Sequence, residues 1–168
     1  QQHKDRLRFF FFRTVRIITL ISVPLAFLVY TLAEPVSAYV FGDTWRGIGF
    51  VIQIMALVHG FSWIVGTNGE VYRAIGKPSY ETIVNSSLLL VYLGGYYLSM
   101  KGGFETFVWA RYVLAMLALF LHLYFGWKAI RLPVFSTVKV IFVAVFIGLV
   151  APFFQLITSD FVMHPLVR

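Results

Sequence analysis

TVRIITLISVPLAFLVYTLA, residues 14–33, carries a single charge, Arg16. As helix, a run of roughly 20 residues rises about 30 Å, the thickness of a bilayer's hydrocarbon core. A spanning strand would take only about ten alternating residues, so length selects helix. Four more runs share this character: GIGFVIQIMALVHGFSWIVG at 47–66, TIVNSSLLLVYLGGYYLSM at 82–100, TFVWARYVLAMLALFLHLYFGW at 106–127 and STVKVIFVAVFIGLVAPFFQLI at 136–157. The expected fold is all-α, a polytopic bundle of five transmembrane helices, with Phe9–Phe12 as an interfacial lead-in.

Composition says the same. The chain is 60% hydrophobic and only 12% charged, with a mean hydropathy of +0.82. A soluble domain needs about 25% charged residues to cover its surface. The net charge of +7 does not indicate nucleic acid, because the basic residues cap apolar runs instead of sharing one solvated face. Cysteine is absent, which excludes thiolate metal sites, disulfides and cysteine nucleophiles.

The basic residues orient the bundle. Lys4, Arg6, Arg8, Arg13 and Arg16 lead into the first span. Arg73 and Lys77 follow the second, and Lys128, Arg131 and Lys139 follow the fourth. The alternate connections hold Arg46 and Lys101. The positive-inside rule then places 1–13, 67–81 and 128–135 in the cytoplasm and 34–46, 101–105 and 158–165 outside. Short connections imply antiparallel neighbours, a bundle of helical hairpins. Gly94, Gly95 and Ser99 form a small-residue strip suited to close helix contact. Pro24 and Pro152 are expected to bend their helices. The start at Gln1 suggests a piece of a longer protein, residues 1–168 being part of one transmembrane lobe.

Catalytic signatures are missing. His3, His59, His122 and His164 have no ligand spacing, and no GxSxG, P-loop or GxGxxG occurs. No enzyme, metal or cofactor is expected. What remains is polar residues at membrane depth, which are costly and point to function. Arg111 is the sharpest, within VWARYV: it either snorkels to the headgroups or faces a water-filled cavity and holds an anionic phosphate. Arg13 and Arg16 at the mouth of the first span suit anionic lipid or substrate attraction. Gln53, His59 and Asn85 are interhelical glue or substrate contacts.

TNGEVYRAIGKPSYETIVN, residues 67–85, reads as a turn between helices. Glu70 and Arg73 can pair at i,i+3, and an ion-coupling role for them is the alternative. Gly76 suits a left-handed C-cap, Pro78 stops the helix, Ser79 can cap the next, and Glu81 lies in its first turn.

Ala33, Glu34 and Pro35, then Phe41, Gly42 and Trp45, then Gly76, Lys77, Pro78 and Asn85 occur in an order that resembles the polysaccharide transporter family. Its members are O-antigen and exopolysaccharide flippases of the multidrug/oligosaccharidyl-lipid/polysaccharide exporter superfamily. The basic lead-in KDRLRFFFFRTVR is similar to that family's cytoplasmic linker. The resemblance implies spans nine to thirteen of about fourteen, with DFVMHPLVR leading into the last. It implies a monomeric, multi-pass exporter of the bacterial inner membrane that flips polyprenyl-diphosphate-linked oligosaccharide to the outer leaflet by alternating access. Membrane lipids surround it, with a polysaccharide polymerase and chain-length machinery as further partners. A drug/cation antiporter of the same superfamily would need a carboxylate deep in the membrane, and a non-transporting scaffold would need no more than five spans.

Overall fold

The computed structural model describes residues 2–45 and 47–163, and all its regular structure is helical. Seven α-helices follow in order: α1 Gln2–Phe41, α2 Ile48–Ser62, α3 Asn68–Ala74, α4 Ser79–Met100, α5 Gly103–Ile130, α6 Val134–Gly148 and α7 Val150–Met163. By length and hydropathy they make five membrane-spanning units, at Asp5–Phe41, Ile48–Ala74, Ser79–Met100, Gly103–Ile130 and Val134–Ile157.

Each span is longer than its apolar run. Residues 34–41, read as outer loop, extend α1. Residues 67–74 are mostly α3, 79–81 open α4, and 103–105 and 128–130 belong to α5. The reason is simple: hydropathy marks where lipid begins, whereas a helix continues until something breaks it. The basic lead-in contains no breaker, so its turns propagate into the first span. Along α1, Phe11, Val15, Thr19, Val23, Ala26, Ala33 and Ser37 form one buried stripe at helical spacing.

One break has a clear cause. Pro152 cannot donate to the Gly148 carbonyl, and α6 ends at Gly148 with Leu149 as a turn before α7. α1, by contrast, stays helical through Pro24 and Pro35. In the second span a tight turn at Trp63–Val65 separates α2 from α3.

Gly76 ends α3 as anticipated. Its φ is +71°, the Lys77 N–H donates to Tyr72 O at 2.8 Å, and the Gly76 N–H donates to Arg73 O at 3.0 Å. This is the paired bonding of a Schellman motif. Ser79 does not cap α4; Pro78 occupies the cap position, without a side-chain bond, and Ser79 is the first helical residue. Gly76→Val should cost about 1–2 kcal/mol, because a β-branched residue is strained at positive φ. A thermal unfolding midpoint unchanged from wild type would contradict this.

Helix packing departs from a chain of hairpins. α1–α2 and α4–α5 are antiparallel pairs, with Gly60 against Ser22 and Ala26, and Gly95 against Leu114. Other consecutive spans meet at most near their ends, as α3 meets α4; α5 lies along α2 and α6 along α1, so the order in space is α4, α5, α2, α1, α6–α7. Short loops constrain only where helix ends meet, and the small residues decide which helix bodies meet. Burial follows this order. About 39% of the core window is buried in the second and fourth spans, against 17% for α4 and 11% for the last span. The remaining faces carry Leu90, Leu93, Phe120, Phe142 and Phe146 outward, an exterior matched to lipid.

Of the small-residue strip on α4, Gly95 meets Leu114 and Ser99 is buried, but Gly94 faces open space. Arg46 and residues 164–168, which include His164 and most of the stretch DFVMHPLVR, lie outside the described residues.

Candidate functional site

The break at Trp63–Val65 leaves room between the second span, α4 and α5. A cleft of about 420 Å³ opens there, and its polar lining is Ser62, Tyr72, Glu81, Asn85, Tyr92 and His122. Glycines make the space. A Cβ on Gly69 would lie 2.6 Å from Glu81 Oε1, so the carboxylate packs directly over this glycine and would have to swing aside for a larger residue. On α4 the lining residues 81, 85, 88, 89 and 92 recur at helical spacing, and on α5 residues 115, 118, 119 and 122 do the same.

Asn68 fixes the floor. It is 2% exposed and its Nδ2 donates to His122 O at 2.9 Å, with Tyr72 Oη further off at 3.5 Å. Tyr80 stacks edge-on against both Tyr72 and Phe125, joining α3, α4 and α5 at this end. His122 Nδ1 is buried and has no hydrogen-bond partner among the described residues. Leaving such an atom unpaired costs about 1–3 kcal/mol, a cost that a polar guest in the cleft would offset.

At the mouth, Arg73 reaches across the 75–78 turn. Its Nη2 donates to Glu70 Oε1 at 2.6 Å and its Nη1 to Glu81 Oε2 at 2.9 Å. The expected Glu70–Arg73 pair is therefore present, enlarged by Glu81 into a triad. Solvent-exposed pairs of this kind contribute little stability; their effect is to hold the Glu81 carboxylate in place.

Arg111 lies next to the cleft without lining it. It is half-buried on α5, its Nη1 donates to Tyr96 Oη at 3.1 Å, and its guanidinium lies 5.7 Å from the ring of Tyr92. Tyr92 is thus shared between Arg111 and the cleft. Arg111 is eight residues from the start of α5, about 12 Å along the axis.

The other candidates are dispersed. Asn85 lines the cleft, whereas Gln53 is half-buried on α2 and lines none of the clefts described here. His59 faces an apolar groove between α1 and α2. Arg13 and Arg16 are exposed on α1, on the far side of the bundle from α4. Tyr72, Tyr92, His122 and Asn68 were not singled out as site residues in the sequence. The 81–85–92 spacing was the available signal, and the role of His122 needed the packing of α3 on α5. No three of His, Asp and Glu come together among the described residues in a way that could hold a metal ion.

Residues 1–49 match the model of a family described as "Polysaccharide biosynthesis protein". The match bears out the family resemblance and contains the Ala33–Pro35 and Phe41–Trp45 motifs; the turn at 76–85 lies beyond it. No curated protein and no solved structure matches the chain. The family match suggests a role in polysaccharide synthesis or export, and the five long apolar helices suggest a membrane protein.

Proposed function

From the premise that residues 1–49 match the polysaccharide biosynthesis protein family, we propose that the chain is part of a flippase for lipid-linked oligosaccharide. In this reading it moves a polyprenyl-diphosphate-linked repeat unit from the cytoplasmic to the outer leaflet of the bacterial inner membrane. The basic ends at Arg13, Arg73 and Lys128 face the cytoplasm. The observation that carries the proposal is a cleft between the second span, α4 and α5 that gathers polar and aromatic side chains in an otherwise apolar bundle.

The cleft's chemistry suits sugar hydroxyls. Asn85 offers both amide functions, Glu81 accepts, and Tyr72 and Tyr92 present rings with a polar edge. Glu81 would repel a diphosphate, so the oligosaccharide occupies the cleft and cations elsewhere hold the phosphates. Arg111, one contact away through Tyr92, is the cation on this side of the bundle closest to that role. No bond is made or broken by these residues: transport is alternating access, by a monomer that passes its cargo to polymerase and chain-length partners.

Asn85→Ala and Arg111→Ala in the full-length protein should each lower surface polysaccharide about fivefold, the effect of about 1 kcal/mol in a lost hydrogen bond. The lipid-linked unit should accumulate in the inner leaflet. Ser86→Ala, on the exposed side of α4, should leave export unchanged. Normal export by folded Asn85 and Arg111 variants would remove the cleft from the transport path. Loss of the lipid-linked unit itself would point to synthesis instead.

A further inference from the structure

On the opposite side of the bundle, α1 and α6 enclose a second groove, of about 320 Å³, lined by Phe12, Arg16, Leu20, Ser136, Lys139 and the valines 140 and 143. Two cations and a hydroxyl from different helices converge on it, and its lining contains no acidic side chain. α6 has no acid anywhere along its length. On this part of α1 the one acid is Asp5, eleven residues or about 16 Å away along the axis.

Depth narrows the identity of the guest. Lys139 is five residues into α6, about 7–8 Å from its start, and Arg16 shares the groove with it. That is the level of phosphate and glycerol when the end of α6 lies at the headgroups. Below it the lining is apolar, with Leu20, Val140 and the exposed Val143. A volume of this size takes a headgroup and the first part of a chain, while the rest of the lipid lies on the apolar exterior.

We infer that the α1–α6 groove is a binding site for an anionic membrane phospholipid, whose phosphate is held between Arg16 and Lys139 with Ser136 as an added donor. It is separate from the polar cleft, which is lined by the second span, α4 and α5 and shares no residue with it. The lipid bridges the two helices through Arg16 on one and Lys139 and Ser136 on the other, which ties the last span to the first.

Native mass spectrometry of the full-length protein tests this, with phosphatidylglycerol and phosphatidylcholine added in equal amounts. Wild type should retain phosphatidylglycerol preferentially. Arg16→Gln with Lys139→Gln should weaken that retention about thirtyfold, each basic residue near an anionic headgroup being worth about fivefold. Arg13→Gln should weaken it less than either single change in the groove. Val143→Trp, which keeps both charges and fills the apolar part, should also displace the lipid and serves if the double variant does not fold. Equal retention of both lipids by wild type overturns the site. So does undiminished phosphatidylglycerol binding in folded variants. Displacement of bound lipid by inorganic phosphate alone would show a bare anion site instead of a lipid site.

Discussion

Gly60→Ala is expected to be the most damaging one-methyl change in the chain. The added Cβ would collide with the Cβ of Ala26 and lie 3.0 Å from the backbone oxygen of Ser22. Neither obstacle is the end of a flexible side chain, so α1 and α2 must move apart. The separation also lengthens the bond from Ser22 Oγ to Gly60 O, now 2.9 Å. Overpacking of this kind costs about 1–3 kcal/mol, and an interhelical bond in a membrane about 0.6 kcal/mol more. The thermal unfolding midpoint of the full-length protein in detergent should fall by several degrees. Gly94→Ala is the matched control, since nothing lies within 4 Å of its added Cβ; it should be neutral or slightly stabilising. Equal midpoints for the two variants would mean that the α1–α2 contact has room for the added methyl.

Asn68→Leu comes next, through a different mechanism. The side chain is nearly isosteric, so packing volume is kept, but the donor that joins α3 to His122 O on α5 is lost. Stability should drop by about 1 kcal/mol, within the range for buried polar contacts between membrane helices. Function should suffer more than stability, because α3 carries Tyr72 and, through Arg73, positions Glu81. Export should therefore decline further in Asn68→Leu than in Gly76→Val, even at matched unfolding midpoints. Equal export from the two at matched stability would show that α3 does not set the shape of the cleft.

The fold was readable because its dominant cause is composition. Five apolar runs had to become helices, and Gly76 with Pro78 had to end one. Helix ends were not readable to the same degree. Glu34 and Pro35 look like loop residues, yet α1 passes through them, and the Glu34 carboxylate lies over Gly49, where a Cβ would be 2.6 Å from its Oε2. The meaning of Gly49 and Glu34 is thus joint, and no local rule connects residues on two helices. The same holds for the cleft. Asn85 stood out as an amide at membrane depth, but His122 was one of four scattered histidines until α3 packed on α5. Arg111 stood out as a charge, and its tie to Tyr96 depended on the register of α4 against α5.

α4 lies at one edge of the bundle and leans on α5 alone along most of its length. Among the described residues its polar fastenings to other helices are the Arg111–Tyr96 bond toward one end and the Arg73–Glu81 bond at the other. A beam clamped near both ends and supported on one side is stiff at the clamps and compliant between them. Asn85, Leu88 and Tyr92 lie in that middle stretch, so the width of the cleft is governed by two charged hydrogen bonds outside its centre. Salt weakens the exposed one far more than the half-buried one. Ionic strength therefore acts on this cleft as a one-sided hinge, loosening the Glu81 end while the Tyr96 end stays pinned.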